Sequence, residues 1–242
     1  MKNIKKFFLL SLFFILYNLI GFILYGNNIA EFNDLIIYFY GYVNLWDTKS
    51  IINIIFWLLP QIIIITMYGN LIEKSLLKNA SVIFTRTNNR TKFILKILIF
   101  LLNKIALFYL SQMILSIVIC ILFKIKIIIN IETAIMIIQI ILYAFFSLIT
   151  INILSIIFTA TIGVYIEISL KLCMIYIISL LINTNSMIIK YIPTGNALLI
   201  LSSVCSLINN KLAVLNLLYG IVIEIVICIL IMKKKEFINT IK

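Results

Sequence analysis

Long apolar runs fill most of the chain and are separated by short polar stretches. Each run approaches or exceeds the roughly 20 residues that an α-helix needs to cross the hydrocarbon core of a bilayer. The pattern therefore predicts an all-α polytopic membrane protein with one transmembrane domain over residues 1–242. Six transmembrane helices are expected, over residues 7–25, 51–68, 97–123, 134–159, 162–182 and 213–232.

The longest polar interruption is residues 69–96, GNLIEKSLLKNASVIFTRTNNRTKFILK, which we call the basic segment. It carries six Lys or Arg residues and a single acid, Glu73. Thirteen Lys or Arg residues lie in this segment and at the two termini, against five in the remaining loops. Because Lys and Arg are disfavoured in translocated loops, we expect the termini and the basic segment in the cytoplasm. The net charge of +12 then reflects membrane topology and does not indicate nucleic acid binding.

A second interruption, residues 183–211, contains the turn sequence Pro193-Thr194-Gly195-Asn196. The turn divides an apolar stretch into two pieces that are each too short to span a bilayer. We therefore predict a re-entrant helical hairpin on the extracellular side, directly before the sixth helix. We call residues 183–211 the hairpin.

The loop at residues 26–50 is acidic and rich in aromatic side chains. Amphipathic rings often lie at the headgroup level of a membrane, so this loop is interpreted as an interfacial belt, with a substrate-contacting role as the alternative. The aromatic residues concerned are Tyr38, Phe39, Tyr40, Tyr42 and Trp46.

Four ionisable residues lie within the predicted spans: Lys104, Glu167, Lys171 and Glu224. Such groups cost at least ~2.5–3.5 kcal/mol at a helix centre and usually face the interior of the bundle in pairs. At 1.5 Å per residue, Lys104, Lys171 and Glu224 lie roughly 10–14 Å from the cytoplasmic helix ends. Our hypothesis is that Glu224 pairs with Lys104 or Lys171 to fix helix packing, with substrate handling or conformational switching as the alternative. Glu167 and Lys171 also have the i, i+4 spacing of a helical ion pair.

The sequence lacks the usual motifs of enzymes that make or break covalent bonds. The chain has no histidine, its four cysteines are scattered, and the phosphate-binding pattern GxxxxGK[ST] does not occur. We therefore expect no enzyme activity, no catalytic or metal-binding residues and no cofactor bound by this chain. Any energy for transport would come from a partner.

The expected topology resembles the permease subunit of an ABC-2 type transporter. The sequences WLLP at residues 57–60 and IFTR at residues 83–86, followed by Arg90 and Lys92, are similar to small bacterial permeases that accompany bacteriocin or antimicrobial-peptide gene clusters. The resemblance implies two copies of a separate ATPase that binds ATP and Mg²⁺, seated on the basic segment. It further implies an outer gate at the hairpin, around Pro193 and Gly195. The implied ATPase-coupling residues are Glu73, Lys74, Lys78, Phe84, Arg86 and Arg90.

The expected function is export of a peptide or another amphipathic or hydrophobic molecule across the bacterial plasma membrane, for bacteriocin export or self-immunity. A second copy of the permease is expected, as a homodimer, with a heterodimer as the alternative. The alternative function is a non-transporting membrane anchor or immunity protein that binds a peptide directly or scaffolds a complex. The outer loops are too short to hold a ligand-binding module, which argues against a sensor role.

Overall fold

The computed structural model describes residues 2–45, 51–75, 90–182, 184, 187–203, 205 and 207–234. These residues are almost entirely helical and contain no β-strand, so the all-α prediction is confirmed. The helices are α1 (Lys2–Tyr25), α2 (Phe32–Tyr40), α3 (Ile51–Tyr68), α4 (Arg90–Leu122), α5 (Ile131–Ile157), α6 (Ala160–Ile182), α7 (Pro193–Ala197), α8 (Leu199–Ser203) and α9 (Asn210–Lys234). Two short 3-10 helices cover Gly26–Asn28 and Met187–Tyr191.

Five helical stretches in the described residues are long and apolar enough to cross a membrane. The chain is therefore a multi-pass membrane protein. The α1 region contributes a shorter apolar helix, Leu12–Asn28, so a sixth span stays a prediction, as does the orientation of the termini. The five stretches are Ile51–Ser75, Thr91–Leu122, Ile131–Ile157, Ala160–Ile182 and Asn210–Ile231.

Helix α4 begins at Arg90, whereas the sequence pattern placed its start at residue 97. The buried residues Ile94, Ile97, Leu98 and Leu101 recur three or four positions apart, which gives one apolar stripe along the helix. This stripe already starts within the last turns of the basic segment, so residues 90–96 belong to the helix.

Helix α5 begins at Ile131, three residues before the predicted start. Asn130 caps it, because its side-chain oxygen accepts a hydrogen bond from the Thr133 backbone N–H at 2.9 Å. The Thr133 hydroxyl in turn accepts from the Asn130 backbone N–H at 3.1 Å, which completes a capping box.

The short helix α2 lies where the sequence pattern predicted only a loop. It packs into the bundle, and the belt interpretation is wrong for Phe39 and Tyr40, whose side chains are buried. The Tyr17 hydroxyl of α1 donates to the Phe39 carbonyl. A Cβ added to Gly21 would lie 2.5 Å from the Phe39 ring, so a glycine is needed at this contact. Trp46 lies outside the described residues.

Gly41, the residue directly after α2, contacts the backbone of the hairpin. The Ile200 N–H donates to the Gly41 carbonyl at 3.2 Å. A Cβ added to Gly41 would lie 2.7 Å from the Leu199 backbone nitrogen, so only glycine allows this close approach. The described residues of the hairpin form short helical pieces, and the turn predicted at residues 193–196 is wrong, because Pro193–Ala197 is a short helix that begins at the proline. The re-entrant path of the hairpin and its depth in the membrane stay predictions.

Candidate functional site

A half-open cavity of about 180 Å³, lined mostly by apolar surface but with charged side chains in its wall, lies among α5, α6 and α9, next to the start of α7. Tyr143 and Thr150 are seven residues apart on α5, and this spacing places them on one helix face. Glu167 and Lys171 are four residues apart on α6, so they also share one helix face. The lining residues are Tyr143, Phe146, Thr150, Glu167, Leu170, Lys171, Met174, Pro193, Thr194 and Glu224. The cavity thus brings together three of the four intramembrane charges and one predicted gate residue.

Lys171 is the most heavily engaged charge in the cavity. Its ammonium lies 3.7 Å from a Glu167 carboxylate oxygen, and the two side chains are only 3% and 7% exposed. It also donates to the Gln61 side-chain oxygen of α3 at 2.7 Å and lies 5.2 Å from the centre of the Tyr143 ring. The ion pair expected from the i, i+4 spacing is therefore present. The buried side-chain amide of Gln61, which the sequence did not single out, is a further partner of Lys171.

The contacts of Glu224 differ from the predicted ones. One carboxylate oxygen, Oε1, accepts a hydrogen bond from the Thr150 hydroxyl. The other, Oε2, is buried and has no hydrogen-bond partner among the described residues. The hypothesis that Glu224 pairs with Lys104 or Lys171 is wrong, because neither lysine forms an ion pair with it in the described part of the chain. Lys171 contacts Glu167 and Gln61 instead. Lys104 instead lies 5.2 Å from the centre of the Phe100 ring, on α4.

The two predicted gate residues start α7 and have distinct structural roles. Pro193 occupies the first turn, where its missing N–H breaks no helical hydrogen bond. Gly195 is buried, and an added Cβ would lie 2.7 Å from the Ile189 carbonyl oxygen. Thr194 lies between them and lines the cavity.

The basic segment is described only at its two ends. Glu73 and Lys74 lie in a helical stretch over residues 71–75, and Arg90 is the first residue of α4. Lys78, Phe84 and Arg86 lie outside the described residues. Their assignment to ATPase coupling stays a prediction.

A buried amide that the sequence reading missed fixes the start of the basic segment. Asn152 of α5 is fully buried, and its side-chain oxygen accepts from the Ile72 backbone N–H at 3.0 Å. Its side-chain nitrogen donates to the Tyr68 carbonyl at 3.2 Å. The only sequence signal was an isolated Asn within a long apolar run.

We predict that Asn152→Leu lowers the free energy of unfolding by about 1–3 kcal/mol, because it leaves the buried Ile72 N–H and the partly buried Tyr68 carbonyl without this partner. Unfolding in mixed detergent micelles, followed by circular dichroism, measures the loss. The matched control is Asn103→Leu, which replaces an exposed amide on α4 and should change stability little. Equal losses in the two variants would contradict a specific role for Asn152.

Comparison with protein-family models, curated proteins and solved structures gives no match. The function is therefore argued from the cavity, its charges and its contacts. In the described part of the chain, no three His, Cys, Asp or Glu side chains come together as a metal site.

Proposed function

We propose that this protein is the permease subunit of an ABC-2 type transporter, driven by a separate ATPase. It would work as a dimer in a bacterial plasma membrane and export a peptide or another amphipathic molecule. The observation that carries the proposal is the charged cavity among the apolar helices, next to Pro193 and Thr194 of the hairpin.

The cavity favours transport over simple anchoring because charged groups in a membrane interior are expensive. Each costs at least ~2.5–3.5 kcal/mol at a helix centre, and such groups usually mark substrate or ion pathways. A scaffold needs no such groups in its interior. The position of Thr194 at the cavity also supports a gating role for the hairpin, since a movement of α7 would change access to Glu224.

The contacts of Asn152 support energy input from the basic segment. This residue follows the cavity residue Thr150 by two positions on α5, and it bonds to Tyr68 at the end of α3 and to Ile72 at the start of the basic segment. A partner that displaces the segment would therefore also displace the helix that forms one wall of the cavity.

The test is recovery of the ATPase with the tagged permease after gentle solubilisation from its native host. We expect a stoichiometric nucleotide-binding ATPase with the wild-type chain. The double change Arg86→Glu, Arg90→Glu should reduce that recovery at least about tenfold, because like charges opposed at an interface cost several kcal/mol. Mass spectrometry of the purified material measures the ratio.

The matched control is Lys124→Glu, Lys126→Glu, an equal change of charge in the loop between α4 and α5, on the expected outer side. It should leave ATPase recovery unchanged. If the wild-type chain recovers no ATPase, the transporter proposal fails and the anchor or immunity alternative replaces it. If both double variants lose the ATPase equally, the basic segment is not the specific docking site.

A further inference from the structure

The cavity contains one more acid than base. Glu167 and Lys171 form a pair whose charges compensate each other, which leaves Glu224 as the additional acidic group. In the described ranges, no basic side chain forms an ion pair with Glu224. Burying an ionised carboxylate is costly unless it is paired with a cation or well hydrogen-bonded, and among the described residues Glu224 has the Thr150 hydroxyl as its single donor. The charge pattern therefore fits a cationic ligand.

The available acceptors fit a primary ammonium group. The Glu224 Oε2 atom is buried and has no donor among the described residues, and the hydroxyls of Tyr143 and Thr194 lie 3.4 Å apart at the same cavity. An ammonium carries three N–H donors, which equals the number of these acceptor oxygens. A guanidinium carries five donors in a rigid fork, so some of its N–H groups would stay unsatisfied.

The rest of the lining fits an apolar stem. Phe146, Leu170, Met174 and Pro193 supply apolar surface beside the polar groups. The volume of about 180 Å³ slightly exceeds the roughly 150 Å³ of an engineered cavity that binds benzene. The space therefore holds a short alkylammonium group, whereas a whole peptide is far too large.

We propose that this cavity binds a primary ammonium group on an unbranched alkyl stem, with Glu224 as its counter-ion and Tyr143 and Thr194 as further acceptors. Both a peptide lysine side chain and the headgroup of an aminophospholipid carry this group. As a statement about cargo, the inference rests on the proposed transport function. Binding of the ammonium group itself does not depend on it.

The test uses the full chain, purified in a neutral detergent, and n-pentylammonium as the probe in isothermal titration calorimetry. We expect pentylammonium to bind, pentanol not to bind, and pentyltrimethylammonium to bind at least about tenfold more weakly, since it has no N–H donor. Glu224→Gln should weaken pentylammonium binding at least about tenfold. Glu132→Gln, an exposed acid at the start of α5, is the matched control and should bind as the wild type does.

A second measurement needs no variant and covers the case in which Glu224→Gln fails to fold. When the bound ammonium gives its proton to the carboxylate, a hydrophobic carbodiimide adds to the resulting carboxylic acid to form an O-acylisourea. The lone pair of the amine then attacks this ester, which forms an amide and releases the urea. Pentylamine should be coupled to Glu224 in the wild-type chain, as identified by peptide mass spectrometry. Absence of pentylammonium binding overturns the proposal, and so does coupling at Glu31 and Glu132 with none at Glu224.

Reconstitution identifies the source of the ammonium group. If phosphatidylethanolamine vesicles compete with pentylammonium and phosphatidylcholine vesicles do not, the site takes a lipid headgroup. If a lysine-containing amphipathic peptide competes and its acetyl-lysine form does not, the site takes a peptide side chain. If the ATPase is recovered but pentylammonium does not bind, the transporter proposal stands and the ammonium site is ruled out. If pentylammonium binds but no ATPase is recovered, the ammonium site stands and the transporter proposal fails.

Discussion

Lys171→Met should lower the free energy of unfolding by about 3–5 kcal/mol, the usual cost of removing one partner of a buried ion pair. The variant leaves the carboxylate of Glu167 buried with no counter-ion and removes the donor to the Gln61 side-chain oxygen. Unfolding in mixed detergent micelles, followed by circular dichroism, measures the change. Adding Glu167→Leu should restore at least half of the loss, because the double variant no longer buries an isolated charge.

The chain provides a matched control in Lys104, which also lies in a membrane-spanning helix. This side chain is half-buried and lies over the Phe100 ring, a contact worth about 0.5–1 kcal/mol. Lys104→Met should therefore cost no more than that amount. If Lys171→Met costs as little as Lys104→Met, the buried pair contributes nothing specific to stability.

Gly41→Ala should lower the free energy of unfolding by about 1–3 kcal/mol, as overpacking of a tight contact does. The new methyl group would lie 2.7 Å from the Leu199 backbone nitrogen, and a backbone atom cannot rotate away as a side-chain tip does. We also expect the Ile200 to Gly41 hydrogen bond to lengthen. Faster amide hydrogen exchange at Ile200, relative to the wild type, measures this local effect.

Gly26→Ala is the matched control for this variant. Its added methyl group would lie 3.8 Å from the nearest heavy atom of the described residues outside its immediate chain neighbours, on the Phe22 ring, which is an ordinary packing distance. Stability should stay unchanged or rise by up to ~1 kcal/mol, since alanine restricts the unfolded chain more than glycine does. Equal losses in the two variants would contradict a tight contact at Gly41.

The long helices were predictable because lipid selects for continuous apolar runs, and these runs stand out from polar loops without further information. Spacing along one helix also predicted the pair of Glu167 and Lys171, since both residues move together with α6. Such local features need no knowledge of how helices are rotated against one another.

Contacts between helices were not predictable in the same way. A helix that is apolar on all sides gives no sign of which face is buried, so the sequence could not show that Lys171 turns toward Gln61 or Glu224 toward Thr150. Helix α2 was missed because it is only nine residues long and its aromatic side chains were assigned to the membrane interface. Its capping pair, Glu31 and Asp34, is recognisable only once the helix is known.

The backbone contact between Gly41 and Ile200 has a consequence for the speed of the proposed transport cycle. The hairpin is joined through Gly41 to α2, and α2 is joined to α1 through Phe39 and Tyr17. A movement of the hairpin must therefore carry these elements with it or break their contacts. Collective motions of this kind take microseconds to milliseconds, whereas a free surface loop moves in nanoseconds to microseconds. If the proposed transport function holds, opening of the hairpin is thus expected to be a slow, cooperative step that limits how many molecules pass per second.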